Sequence, residues 1–237
     1  MACATASGTA QTRVMTALHR ISAFCRDRSL LLAPVAGGLA ACGFEPLHFW
    51  PLLLVSLALL QVWIARAADG RTAFLIGWLW GVGHFCVGNN WIATAFAYQA
   101  QMPASLGWLS VFLLSLYLAV YPALATLGAW YFRSGRLASA LGFAGTWIIT
   151  EWLRSWVFTG FAWNPLGVAL LGPFGGQGLA LLARWTGTYG LSGGVALLAA
   201  LLRAAVETAG TAPRRAIAPA LALIVVLAPM EVTGAIA

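Results

Sequence analysis

Seven apolar stretches follow one another along the chain, at about 29–44, 50–66, 73–97, 105–132, 137–158, 177–202 and 215–233. Short polar, glycine- or proline-bearing junctions separate them. A helix crossing a hydrocarbon layer about 30 Å thick needs roughly 20 apolar residues, which is the scale of these stretches. The pattern predicts an all-α fold: a polytopic transmembrane helix bundle of about seven spans over residues 29–237, behind a basic cytoplasmic segment at 1–28. The first stretch is short and glycine-rich, which predicts a tilted or broken helix. The sixth holds Arg184, which predicts a re-entrant piece ahead of the true span. A signal peptide would end its apolar run at a small-residue cleavage site. Here the run from Ser29 passes through Gly37 and Gly38 into a second apolar segment, so a retained first span is expected.

Charge sharpens the picture. Hydrophobic residues make up 61% of the chain and charged ones 8%, against about 25% charged in an ordinary soluble domain. A soluble fold of this composition would expose apolar patches large enough to aggregate. The net charge is +7, carried by 13 arginines with no lysine. They do not gather on one polar element, which argues against a nucleic-acid partner. They punctuate the apolar stretches instead. Arg13, Arg20, Arg26 and Arg28 precede the first, Arg66 and Arg71 follow the second, Arg133 and Arg136 follow the fourth, and Arg203, Arg214 and Arg215 follow the sixth. The junctions at 45–50, 98–104 and 159–176 have none. This strict alternation predicts a cytoplasmic N-terminus and, after seven spans, a C-terminus on the outer side. Phe49, Trp50, Trp91, Tyr98, Trp108, Tyr131, Phe132 and Trp163 fall near segment ends, where headgroup-level aromatics belong, although any one could equally be a core residue. Gly77, Gly81 and Gly88 lie near one face of the third stretch, with Gly83 adding to its small-residue content. Close helix packing is the expected use.

Conventional site chemistry is sparse. Cys3, Cys25, Cys42 and Cys86 form no CxxC pair, so neither a disulfide nor a metal site is expected. His19, His48 and His84 are scattered, and no HExxH, P-loop or dinucleotide fingerprint occurs, so no metal and no cofactor is expected. His84 is expected to be a hydrogen-bonded packing residue, and Asn89 and Asn90 to approach the outer interface. The informative run is EWLRSWVFTGFAWNPLG at 151–167. Glu151 and Arg154, three apart on a helix, share a face and can pair. Charge inside a span costs roughly 2.5–3.5 kcal/mol, so it faces protein or a wet cavity. Two readings stay open: a self-neutralising pair that fixes packing, or a polar cavity in which Arg154 grips an anionic headgroup with its planar fork. Gly160 and Pro165 predict that the helix ends here in an outward loop. That loop, with Trp163 and Asn164, could guide acyl chains or simply connect helices.

Four pieces in order resemble one family. The 151–167 run looks like its E-[WF]-L-R-G-x-x-[FL]-T-G-F-P-W segment. FEPLHFWP at 44–51 is similar to its F-x-P-x-x-x-W-P junction. GWLWG at 77–81 through NWI at 90–92 and LYLAVYP at 116–122 match two further runs. The resemblance is to the membrane-embedded N-terminal half of bacterial apolipoprotein N-acyltransferase. Ser155 stands for the family's usual Gly, Ala162 for its Pro, and Val168 where an aromatic is common. The likeness implies a multi-pass enzyme of the bacterial inner membrane, with its C-terminal end periplasmic. The family moves an acyl chain from a phospholipid donor to the lipidated N-terminal cysteine of a lipoprotein acceptor. It does so through a cysteine thioester in a periplasmic nitrilase-like Glu-Lys-Cys domain. That domain normally begins about where this chain stops, so it is expected to be supplied in cis or in trans. The chain has no lysine, so no catalytic residue carries over, and residues 1–237 are expected to be inactive alone. Glu151, Arg154, Trp163 and Asn164 are the candidate substrate-binding residues. A lipid transporter or flippase-like subunit, or a structural membrane subunit, is the alternative.

Overall fold

The computed structural model describes residues 28–98, 103–171 and 177–232, and the regular structure there is helical throughout. Helix α1 covers Ser29–Ala41, α2 Trp50–Arg66, α3 Gly70–Gly88, α4 Trp91–Ala97 and α5 Ala104–Leu118. Then come α6 at Val120–Tyr131, α7 at Arg136–Arg154, α8 at Ala183–Thr211 and α9 at Pro213–Val232. Short 3-10 turns at Val157–Thr159, Leu166–Leu170 and Gly178–Leu182 join α7 to α8. Two helical stretches, Ser105–Tyr131 of 27 residues and Gly178–Thr211 of 34, are long and apolar enough to cross a bilayer. Cys3, Arg13, His19, Arg20, Cys25 and Arg26 lie outside the described residues.

All seven apolar stretches are helical over most of their length, and several breaks have local causes. The third stretch divides at Asn89 and Asn90, between Gly88 and Trp91. The fourth divides near Ala119, because Pro122 has no N–H to offer the Leu118 carbonyl. The sixth opens with the Gly178–Leu182 turn and kinks at Gly187, where φ is 68°, before α8 runs on to Thr211. Of the tilt or break expected in the first stretch, the break does not occur within Ser29–Ala41: α1 is continuous for 13 residues with Pro34 inside it.

Packing follows a closed circuit of neighbours: α1 on α3, α3 on α6, α6 on α7, α7 on α8, α8 on α2, and α2 back on α1. Outside the circuit, α5 lies against α3, with α4 beside it, and α9 lies against α8. In α3 the small residues face two partners. A side chain at Gly77 would run into Thr126 of α6, and one at Gly83 into the Pro34 carbonyl of α1. Polar side chains bond across the helices. Trp80 Nε1 donates to Ser56 Oγ at 2.8 Å, and Ser56 donates to the Ala36 carbonyl at 2.7 Å, joining three helices. Gln61 reaches the Ala196 carbonyl at 3.1 Å, and Thr126 reaches the Ala73 carbonyl at 2.9 Å. Such bonds contribute about 0.6–2 kcal/mol each in an apolar medium.

Apolar side chains cover the outside of the bundle as well as its core, and a charged pair is buried inside. Glu151 and Arg154 are 5% and 4% exposed, while Leu31, Leu137 and Val225 are 71%, 72% and 69% exposed. Arginine-bearing junctions meet at one end. Trp130 Nε1 bonds the Ala67 carbonyl at 3.1 Å, Arg203 bonds the Gln61 carbonyl at 3.2 Å, and Ser29, Arg66 and Thr72 line one small cavity. At the other end, Asn164 reaches the Gly88 carbonyl and Trp91 packs on Trp163.

Candidate functional site

Helix α7 delivers Glu151 and Arg154 in its last turn, on one face. The chain then turns back sharply. Phe161 N–H donates to the Arg154 carbonyl at 2.8 Å, closing the helix end. Gly160 sits at φ 78°, and a side chain there would collide with the Ser155 carbonyl. Phe158 and Asn164 are both at φ 51°. Asn tolerates that left-handed region, whereas a bulky aromatic there is strained and marks a held loop.

The charged pair supplies the hold. Arg154 Nη1 donates to the Trp163 carbonyl at 2.8 Å, and its Nη2 lies 3.7 Å from Glu151 Oε1. Glu151 Oε1 accepts from Leu166 N–H at 3.0 Å. Asn164 Nδ2, between these anchors, donates to the Gly88 carbonyl at 3.4 Å. Gly167 N–H donates to Ser192 Oγ at 2.9 Å, tying the next residue to α8. The Arg154 guanidinium also stands 5.2 Å from the Phe85 ring centre, a cation–π distance.

Glu151, Arg154 and Asn164 line one small cavity together with His84, Tyr121 and Trp147. Its volume is about 20 Å³, room for about one water molecule. Glu151 Oε2 and His84 Nδ1 have no hydrogen-bond partner among the described residues. Trp163 joins the site through its carbonyl, while its ring turns outward against Trp91 at 5.5 Å. The four sequence candidates therefore converge, three by side chain and one by backbone. Among the described residues, no group of three or more His, Cys, Asp or Glu could hold a metal.

Several neighbours are not visible as site residues in the sequence. His84 stacks on Trp80 at 4.9 Å and 12°, inside the same wall. Ser192 has no local signal beyond its place in a small-residue run. Asn90 is exposed, but Asn89 is fully buried, with neither amide atom partnered among the described residues. The Asn pair therefore divides between the surface and the interior of the bundle.

A membrane-type helical bundle with a buried ion pair clamping an end loop is the class these features define. Residues 36–201, which contain all four candidates, match the family model described as apolipoprotein N-acyltransferase N-terminal domain. The chain belongs to this family. It is 34% identical over 163 residues to the apolipoprotein N-acyltransferase of Haemophilus influenzae, covering 65% of this chain and 30% of that protein. It is 36% identical over 184 residues to that of Photobacterium profundum, covering 75% and 34%. To that of Azotobacter vinelandii it is 39% identical over 176 residues, covering 73% and 33%. The chain thus spans about a third of the length of the relatives it matches.

Proposed function

We propose that this chain is the membrane-embedded part of an apolipoprotein N-acyltransferase, crossing the bacterial inner membrane about seven times. Residues 1–28 form its cytoplasmic basic segment and 29–237 its bundle. The arginine end faces the cytoplasm, and the 151–167 loop and the C-terminus face the periplasm. The observation that carries this reading is the apolar outer surface around a buried ion pair, with arginine-bearing junctions gathered at one end. A nitrilase-like domain in cis or in trans performs the chemistry, and the bundle holds that domain at the surface where phospholipid donor and lipoprotein acceptor arrive. Glu151, Arg154 and Asn164 hold the loop in register with the substrates. Trp163 and Phe158, 59% and 81% exposed, meet acyl chains at headgroup depth. The 237 residues by themselves transfer no acyl group, since they contain no lysine to complete the family's Glu-Lys-Cys set.

Cysteines introduced at Phe158 and at Leu137 test the orientation. Phe158→Cys should react with an impermeant maleimide added outside spheroplasts, and Leu137→Cys only after lysis. The reverse pattern overturns the reading. A thioester-linked acyl group on any native cysteine of the purified chain would overturn the inactivity. With the nitrilase-like domain present, Trp163→Ala should lower turnover; unchanged kinetics count against a substrate-facing loop.

A further inference from the structure

At the arginine end, a second crevice of about 480 Å³ opens between the start of α7, the later half of α8 and α2. It lies far along α7 from Glu151 and Arg154, and it falls within the 300–1,000 Å³ of small-molecule sites. Leu141, Leu197 and Leu201 are among the residues that form its apolar wall. Arg136, Arg203 and Glu207 stand on its rim, a balance of one net positive charge. Arg203 is preset: Nε donates to Glu207 Oε1 at 2.8 Å and Nη1 to the Gln61 carbonyl at 3.2 Å. Arg136 is exposed and makes no ion pair among the described residues. It opens α7, whose N-terminus has no side-chain cap, so free backbone N–H groups add to the positive field there. Gln61, 2% exposed, lines the same crevice, and its Oε1 has no donor among the described residues.

We propose that this crevice is a binding site for one anionic phospholipid. The phosphodiester sits between Arg136 and the α7 N-terminus, and an acyl chain lies along the leucine wall. Basic pockets between membrane helices select anionic headgroups in this way. On the orientation proposed above, the site lies in the cytoplasmic leaflet, opposite the reaction side, so its lipid is a structural ligand and not the acyl donor.

The test is native mass spectrometry of the delipidated chain in detergent, titrated separately with dioleoylphosphatidylglycerol and dioleoylphosphatidylethanolamine. Wild type should bind one phosphatidylglycerol in preference to phosphatidylethanolamine. Arg136→Ala should reduce that preference about fivefold, the factor for one arginine at an anionic lipid. Arg133→Ala is the control, since Arg133 covers the Trp130 ring at 3.6 Å and does not line the crevice. Ala200→Trp should fill the crevice and remove the bound lipid; should that variant not fold, the Arg136→Ala result decides by itself. Equal affinity for the two lipids, an unaltered preference in Arg136→Ala, or an equal loss in Arg133→Ala overturns the site. Detergent has no leaflets, so this result stands apart from the labelling experiment: selective binding with reversed labelling rejects the orientation and keeps the site.

Discussion

Replacing Arg154 with Met keeps a long apolar stem and removes the guanidinium. The Trp163 carbonyl then loses its 2.8 Å donor, and Glu151 loses the only cation that the ion-pair geometry places beside it among the described residues. Both side chains are 4% exposed, so the lost partners are not replaced by bulk water. Removing one member of a buried pair costs about 3–5 kcal/mol. At about 2–4 °C per kcal/mol for a domain of this size, the melting temperature should fall by roughly 6–20 °C. Glu151→Gln should cost less, because a Gln Oε1 can still accept from Leu166 N–H. The double variant leaves no charge uncompensated, so its loss should fall short of the summed single losses by about 1–3 kcal/mol. Equilibrium unfolding of the four proteins in one detergent measures that cycle. Additivity within about 0.5 kcal/mol, or an Arg154→Met protein as stable as wild type, would refute the clamp.

Other outcomes follow from single contacts. Gly77→Val should destabilise by at least about 1–3 kcal/mol, because Thr126 and the Pro122 carbonyl occupy the space; an unchanged melting curve would exclude close α3–α6 contact. Gly145→Ala, with nothing within 4 Å of the new methyl, should instead gain about 0.5–1 kcal/mol in the same assay from helix propensity. Asp69 Oδ1 accepts from Thr72 N–H at 2.7 Å at the start of α3, and that bond holds its carboxyl below the usual 3.8. Because the folded value is depressed, its stabilisation is complete above the unfolded value and fades as pH falls through the folded one. Asp69→Ala should therefore melt lower than wild type at neutral pH, and the two curves should converge in acid. A gap that persists below the folded value would show that the cap acts without its charge.

Local features made much of the architecture legible. A run such as 50–66 has no helix breaker past its first turn and enough apolar residues to bury, and it forms α2 over those residues. Breaks were harder to read. Asn89–Asn90 and Pro122 are visible in the sequence, yet whether such residues end a helix or are absorbed by it depends on what packs beside them. Pro34, inside an unbroken α1, is a case of absorption. At the site, the i,i+3 spacing of Glu151 and Arg154 announced a pair and the Gly160–Pro165 run announced a loop. Nothing in either pattern announced that the pair's partners are the backbone of Trp163 and Leu166, since a carbonyl or an N–H carries no residue-specific signal.

The order and lengths of the apolar stretches were enough to specify helices and their sequence along the chain. Those are properties a chain imposes on itself, through the backbone's need for internal hydrogen bonds in a medium without water. Only the folded bundle decided that Gly83 meets the Pro34 carbonyl, that Asn89 is interior while Asn90 is not, and that Arg136, Arg203 and Gln61 line one crevice. Such relations join residues tens of positions apart, and they exist only once close packing has chosen which faces touch.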